Sequence, residues 1–251
     1  MALYGCHIWA KKVLKNKNLM KQLTNEQKEM ALRVIRGYKR IATSAIFLLA
    51  STPPIETLIR VYDKYYGLTR SLKSSEVVNM EKEKARLKKE RLLETILTWH
   101  EKLQLSNNRN QKVVKVILPC FDRWVTRSYG NLSYRMAQII SGHGCFGDYL
   151  CRIKKEPLPK CHHCNAVKDD NIHTAFICPA WSEERKRLYE ITGRLSSLEG
   201  TIEAILHTPG KWEAFKAFCE AVMLKKEEHE RAREAQRHRE KLRGETLPPS
   251  T

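Results

Sequence analysis

Residues 161–178 read CHHCNAVKDDNIHTAFIC, a stretch that holds three cysteines and three histidines. Two residues separate Cys161 from Cys164, a spacing at which one tight turn presents two thiolates to the same ion. His173 and Cys178 stand about a helical turn and a half apart, which brings the imidazole and the thiolate to the same side. Three sulfur ligands and one nitrogen ligand complete a closed tetrahedral zinc site. Because a closed site leaves no position for water, the predicted zinc is structural rather than catalytic.

The remaining histidines and cysteines leave alternatives open. His162 or His163 could replace His173 as the nitrogen ligand, although both are predicted to point outward from a two-residue knuckle turn. Chance clustering of thiols in a cysteine-rich chain is a second alternative. The cysteines outside the ligand set are predicted to be small buried apolar residues: Cys6, Cys120, Cys145, Cys151 and Cys219.

Basic residues flank this metal segment. Lys160 and Lys168, together with Trp181 and Arg185 after the last cysteine, predict a surface that contacts phosphates and unstacked bases. An ordinary solvated surface is the alternative for any single lysine, so the prediction rests on the shared basic character of the segment.

The whole chain is strongly basic. Its 251 residues carry a formal net charge of +18, which favours a polyanionic partner, either nucleic acid or an anionic membrane surface. Residues 1–70 hold thirteen Lys and Arg against four Asp and Glu, a net +9 and therefore half of the total.

Targeting signals and membrane spans are not recognisable. The N-terminus lacks the pattern of a signal peptide, and the longest apolar run, AIFLLA at 45–50, is far too short to span a bilayer. An intracellular, nuclear protein is expected. In a reducing compartment, eight cysteines indicate metal ligands or buried thiols rather than disulfides.

The hydrophobic pattern predicts a mostly α fold. A Thr24–Gln27 capping box predicts a helix over 24–38, and further helices are expected after Thr43 and from the Pro53–Pro54 pair. Others are predicted over 80–103, over 135–142, from Ser182 and over 200–207. The run QKVVKVILP at 111–119 is predicted to be a short strand. The last helix, 211–243, is apolar on one face in its first half, which should dock, and charged in its second half, which should be solvated.

These elements predict five successive segments. They are a helical lobe at 1–70, a charged helical connector at 71–110, a domain at 111–210 with the knuckle at 158–181, the long helix at 211–243, and a disordered tail at 244–251.

Several stretches resemble one protein family. SGHGCFGDYLCRI (141–153), PKCHHC (159–164) and DDNIHTAFICPAW (169–181) resemble the C-terminal end of the polymerase polyprotein of non-LTR (LINE-type) retrotransposons. The resemblance is strongest to elements that insert into ribosomal RNA genes and to their jockey-like relatives. LYGCHIWA (3–10), ALRVIRGYKRIATSA (31–45) and LASTPPIETL (49–58) look like the reverse-transcriptase thumb of the same family. The matches keep the order of the family and cover about half of the chain.

The resemblance implies a nucleic-acid-binding protein. A thumb holds the primer–template duplex, and the C-terminal region engages element RNA or target DNA. Candidate thumb contacts to the nucleic-acid backbone are Lys28, Arg33, Arg36, Lys39 and Arg40.

The resemblance does not extend to a polymerase active site. Asp169–Asp170 is the one Asp–Asp pair in the chain, and it lies inside the zinc loop rather than in a palm hairpin. No catalytic residue is therefore predicted, and the chain alone is expected to be inactive as an RNA-directed DNA polymerase. It is expected to begin after the palm, as a C-terminal fragment or a degenerate element copy.

The sequence bears on two other function classes. A zinc-stabilised protein-interaction scaffold that uses the 211–243 helix is the alternative to nucleic-acid binding. A hydrolase or ligase is disfavoured because no Gly-rich phosphate loop, nucleophile elbow or second zinc site is recognisable. Neither a membrane nor a small-molecule substrate is expected as a partner.

Overall fold

A computed structural model describes residues 3–73, 79–105 and 111–243 of the chain. Over these ranges it contains twelve α-helices and no strand, so the predicted mostly α fold is confirmed. The chain divides into two compact units, Met1–Ser128 and Tyr129–Thr251. The boundaries predicted at residues 70 and 110 both fall inside the first unit. Residues 106–110 of the predicted connector and the predicted tail at 244–251 lie outside the described residues.

The described part of the first unit contains seven α-helices: α1 Cys6–Lys15, α2 Lys17–Ile35, α3 Thr43–Leu49, α4 Ile55–Lys73, α5 Met80–Gln104, α6 Lys112–Ile117 and α7 Phe121–Thr126. A 3-10 turn, Leu118–Cys120, joins the last two. The helices predicted after Thr43, from the proline pair and over 80–103 correspond to α3, α4 and α5.

The strand predicted over 111–119 is wrong, because this segment forms α6. Its apolar side chains Val113, Val114, Val116 and Ile117 are all buried. A short continuous apolar run does not distinguish a strand from a helix that is buried on several sides. Burial against α3 therefore overrides the β-propensity of the three valines.

The helix start predicted at Thr24 is also wrong, because α2 begins at Lys17. Asn16 caps α2, and its side-chain oxygen accepts hydrogen bonds from the backbone N–H groups of Asn18 and Leu19. Thr24 lies inside the helix, where its hydroxyl donates to the Met20 carbonyl. Gln27 is buried and has a tertiary role instead of a capping one.

Large side chains fill the core of the first unit. Trp99 and Trp124 are fully buried, and the Trp124 indole N–H donates to the Leu48 carbonyl at 2.8 Å. The ring of Trp99 meets the ring of Phe121 edge to face, with centroids 5.2 Å apart. These contacts hold α5, α3 and α7 in one core.

Five α-helices lie among the described residues of the second unit: α8 Tyr134–Ser141, α9 Gly147–Arg152, α10 Ser182–Thr192, α11 Leu198–Ile205 and α12 Pro209–Leu242. A π-helix, His173–Ile177, and a 3-10 turn, Pro179–Trp181, lie between α9 and α10. Gly142 ends α8 in the left-handed region at φ +69, as the sequence predicts for this position.

The long helix α12 is the central element of this unit. The apolar side chains of its first half, Trp212, Phe215, Phe218 and Val222, are buried, and the helix packs on α8, α10 and α11. The predicted docking of this half is confirmed. The prediction that the second half is solvated is wrong at the start of that half, where Lys226 and Glu227 are buried; residues 228–240 are exposed or half-buried, and ion pairs continue to Arg237.

Among the described helices, none combines the length and the apolar character needed to cross a bilayer.

Candidate metal centre

Four ligand atoms meet in the second unit. The Sγ atoms of Cys161, Cys164 and Cys178 and a ring nitrogen of His173 all lie within 4.8 Å of one another. Cys161 Sγ is 3.9 Å from Cys178 Sγ, and Cys164 Sγ is 3.2 Å from His173 Nε2. Around a tetrahedral ion with Zn–S bonds near 2.3 Å, sulfur atoms lie about 3.8 Å apart. The donor set and its spacing therefore fit one metal ion, and the chain brings together the four residues that the sequence predicts.

Backbone turns place the two halves of the ligand set. The Asn165 N–H donates to the Cys161 carbonyl, and the Cys161 N–H donates to the Ala166 carbonyl, which closes a tight turn around Cys164. Asn165 takes the left-handed conformation, φ +61, that this turn requires. The turn presents both of its thiols to the same side.

A π turn places the other half. The Cys178 N–H donates to the His173 carbonyl five residues earlier at 2.8 Å, and the Asp170 carboxylate accepts from the His173 N–H at 2.8 Å. One extra residue in the turn lets the imidazole and the thiolate converge, a use for which single π turns are known.

The centre is closed to solvent on most sides. Cys161 and Cys178 are fully buried, His173 is 8% exposed and Cys164 is half-buried. Burial raises the pKa of the Cys161 thiol and raises the pKa of Cys178 to about 12. A divalent cation reverses this preference because it binds the thiolate and displaces the proton.

The Trp181 and Arg185 side chains support the centre from inside the protein. Trp181 is 3% exposed, so its ring is not open to stack on a base, and the role predicted for it is corrected. Arg185 is 8% exposed, and its Nη2 donates to the Cys178 carbonyl at 2.5 Å. The predicted nucleic-acid contact by Arg185 is corrected in the same way, because the guanidinium is directed at the metal loop.

The two extra histidines of the knuckle pack against the protein. The His163 ring lies 4.7 Å from the ring of Trp181 and 5.0 Å from the ring of His229. Burial is the larger cause, and the nearby positive charge of Lys226 the next, of a His163 pKa lowered to about 4. His162 Nε2 lies 3.8 Å from the Glu156 carboxylate. The outward orientation predicted for this pair is wrong, and His173 is the histidine that joins the three thiols.

Asp169 and Asp170 have structural partners. The Asp169 carboxylate is 3% exposed and accepts from Lys226 Nζ at 2.7 Å. Asp170 accepts from the His173 N–H, and its carboxylate lies 3.3 Å from Lys168 Nζ. Each carboxylate therefore shapes the metal loop.

Of the predicted thumb cations, Lys28 lies in the middle of α2, and the other four lie at its end and in the turn that follows. Arg33, Arg36, Lys39 and Arg40 are exposed, and Lys28 is half-buried. Within the described ranges, none of these five forms a salt bridge. Around the metal loop, Lys160 and Lys168 are also exposed.

Sequence reasoning missed three buried charges of the second unit. Lys226 is 2% exposed, Glu227 and Glu156 are each 6% exposed, and all three belong to ion pairs. A signal was present for Lys226, because it stands four residues after Val222 and so continues the apolar stripe of α12. A charge at a core-facing position indicates a buried partner.

The chain is similar to a known retroelement protein. Over 234 residues it is 22% identical to the "Retrovirus-related Pol polyprotein from type-1 retrotransposable element R1 4" of Nasonia vitripennis. The match covers 91% of this chain and 58% of the relative, so the chain spans just over half of the relative's length. No family model matches the chain, and no solved structure matches it significantly. The similarity supports a retroelement-related protein.

Proposed function

We propose that this chain is a nucleic-acid-binding part of a retrotransposon polyprotein of the RNA-directed DNA polymerase class. The first unit acts as a thumb that grips template–primer through backbone phosphates. The second unit, stabilised by zinc, contacts element RNA or target DNA. The similarity to a Pol polyprotein along 91% of the chain is consistent with this origin.

One observation carries the proposal. Arg33, Arg36, Lys39 and Arg40 fall within eight residues, all four are exposed, and none is neutralised by a carboxylate in the described part of the chain. Most basic residues on a protein surface lie near acidic ones, so a cluster without them produces a local positive potential. Such a cluster binds phosphates without reading sequence, and each neutralised phosphate releases counterions.

Zinc is the metal that the second unit is proposed to hold. Cys161, Cys164, His173 and Cys178 would bind it, and three thiolates with one imidazole are a donor set typical of structural zinc. The bound ion would cross-link the loop. Because the protein would fill all four coordination positions, no position would remain for water or substrate.

Around the metal loop, the proposal assigns phosphate contact to Lys160 and Lys168. Both are exposed and flank the Cys161–Cys164 turn, but Lys168 also pairs with the Asp170 carboxylate at 3.3 Å, so Lys160 is the stronger of the two contacts. Since Trp181 and Arg185 are occupied inside the protein, this contact is electrostatic and does not involve base stacking.

The alternative, a scaffold built on the long helix, is less well supported. The apolar side chains that would bind a partner, such as Trp212 and Phe215, are already buried inside the second unit.

The experiment compares two triple variants of equal charge. Arg33, Arg36 and Arg40 are replaced with alanine in one, and Lys64, Lys84 and Arg86 in the other. The control cations each already pair with a glutamate, with N···O distances of 2.6–2.8 Å. The salt dependence of binding to a duplex of random sequence is measured for both.

The first variant should lose up to about three units of slope in log affinity against log salt, at roughly 0.9 per phosphate contact. The control should lose much less, because its cations are already neutralised. Equal losses in the two variants would mean that total charge alone governs binding, and the assignment of the α2 cluster would fail.

A further inference from the structure

The buried carboxylate of Asp169 joins the two halves of the metal loop. Its Oδ1 accepts from the Thr174 hydroxyl at 2.9 Å, and Thr174 directly follows the ligand His173. Its backbone N–H donates to the Pro159 carbonyl at 2.8 Å, two residues before the ligand Cys161. Displacement of Asp169 would therefore move both the imidazole side and the thiolate side of the centre.

The same carboxylate is fixed by a residue of the long helix. Asp169 Oδ2 accepts from Lys226 Nζ at 2.7 Å and from the Gly147 N–H at 3.0 Å. Lys226 is 2% exposed, and its Nζ lies 5.5 Å from the centre of the Phe146 ring. A charged pair this deeply buried is tightly constrained, because loss of either partner leaves a charge without compensation.

Three further contacts join the same stretch of α12 to the metal loop and its flanks. The His229 ring stacks on His163, which stands between the ligands Cys161 and Cys164. Arg233 and Arg237 both bind Glu156, at 3.3 and 2.9 Å. Lys225 binds Glu184 at 2.6 Å and lies over the Trp181 ring. Residues 225–237 thus contact the metal segment before, within and after its ligands.

We propose that residues 225–237 of α12 form a clamp on the metal loop, with Lys226 and Asp169 as positioning residues that hold the four ligands in their metal-binding arrangement. The inference rests on the metal site proposed above and adds a regulatory consequence. Docking of the clamp strengthens metal binding because Lys226, through Asp169, holds the ligands in place. Bound metal in turn fixes the loop on which the clamp docks. Thermodynamic linkage requires that this effect be reciprocal.

The first test measures metal affinity with Co²⁺, whose absorption reports a tetrahedral site with three sulfurs and one nitrogen. Lys226→Met should bind Co²⁺ about 10- to 100-fold more weakly, the size expected when an outer partner of a metal site is lost. The absorption bands should keep their positions because the ligands themselves are unchanged. Lys216→Met is the matched control, since Lys216 lies on the same helix in an exposed pair with Glu213 and should bind as the wild type does.

The second test needs no substitution. Hydrogen exchange of the wild-type chain is followed with and without a chelator. Amides of 225–237 should exchange faster without metal, whereas those of 212–222, held by the apolar core, should change little.

The outcomes are distinguishable. A folded Lys226→Met variant with an affinity within about twofold of the wild type would overturn the clamp, as would identical exchange of 225–237 in both states. If Lys226→Met does not fold, the double variant Asp169→Asn/Lys226→Met, which buries no lone charge, takes its place. A Co²⁺ affinity of that variant within about twofold of the wild type would likewise overturn the clamp. Failure of the wild type to bind Co²⁺ would instead refute the proposed metal site.

Discussion

Cys164 is the ligand through which solvent reaches the metal centre, since it is half-buried whereas Cys161 and Cys178 are fully buried. It therefore tolerates a polar substitute sterically better than its partners do. The effect of replacing it should come from lost metal coordination rather than from disturbed packing.

Cys164→Ser should abolish stoichiometric metal binding and unfold residues 158–181, while α1–α4 remain helical. Structural zinc sites in small peptides contribute about 10–16 kcal/mol of apparent binding free energy, much of it coupled to folding. Elemental analysis of the purified protein gives the metal content, and hydrogen exchange locates the unfolded segment. Cys151→Ser is the control, because Cys151 is another half-buried thiol and lies outside the ligand set. Equal metal content in both variants would contradict the assignment.

Gly147 is required by a close approach of two backbone segments. A Cβ atom at this position would lie 2.4 Å from the Lys160 carbonyl oxygen and 2.7 Å from that of Pro159. Backbone atoms cannot move aside as a flexible side chain can. The absence of a side chain at Gly147 thus lets the start of α9 lie against the segment that leads to Cys161.

Gly147→Ala should destabilise the second unit by about 1–3 kcal/mol, the usual cost of inserting atoms into a packed site. Gly210→Ala is the control in the same unit, because a Cβ there meets nothing within 4 Å. That change should be neutral or stabilising by up to about 1 kcal/mol. Urea denaturation of both variants gives the free energies of unfolding, and similar values would refute the close-approach argument.

At the scale of elements, Gln27 ties α2 to the start of α4. Its side-chain nitrogen donates to the Pro53 carbonyl at 2.8 Å, and its oxygen accepts from the Ile55 N–H at 2.7 Å. The residue is 6% exposed, so both backbone groups depend on this amide in place of water.

Gln27→Leu should destabilise the first unit by about 1–3 kcal/mol, because it leaves a buried N–H and a buried carbonyl without partners. Gln22→Leu, at an exposed position of the same helix, should change stability by less than about 0.5 kcal/mol. The midpoints of urea denaturation of the two variants measure both changes in stability. If the two midpoints shift equally, the bridging role of Gln27 is disproved.

The sequence predicts most helices where local signals are strong, and it fails where tertiary contacts decide. Pro53–Pro54 and Gly142 mark helix ends by backbone conformation alone, so their positions follow from the sequence. The valines of α6 are ambiguous until their burial is known. Gln27 resembles a capping residue because it stands three residues after Thr24. Its amide is used across the fold instead, and no local pattern reveals a partner that lies 26 residues away.

The metal centre was predictable because its ligand spacing is local. All four ligands lie within eighteen residues, and local turns place each half of the set. The surroundings were not predictable in the same way. Trp181 and Arg185 have the composition of a nucleic-acid contact, but whether such residues face solvent or the core depends on helices distant in sequence. The pairing of Asp169 with Lys226 spans 57 residues and has no local signature.

At the scale of the whole molecule, charge is the property that most constrains function. A net charge of +18 over 251 residues, with an unneutralised cluster at the end of α2, is suited to polyanions. The proposed function takes nucleic acid as that polyanion, and the similarity to a Pol polyprotein is consistent with the proposal. The metal, in this account, maintains the fold of the second unit and reads no bases.

The most direct test of nucleic-acid binding is a salt titration of the wild-type chain on duplex and single-stranded ligands, with and without a chelator. The account predicts that log affinity falls linearly with log salt on both ligands, because the contacts are to phosphates. Metal removal should weaken both to a similar extent, since the contacts around the metal loop are electrostatic. A chelator effect confined to single strands would contradict the purely structural role of the metal. Absence of binding to either ligand at low salt would contradict the central claim itself.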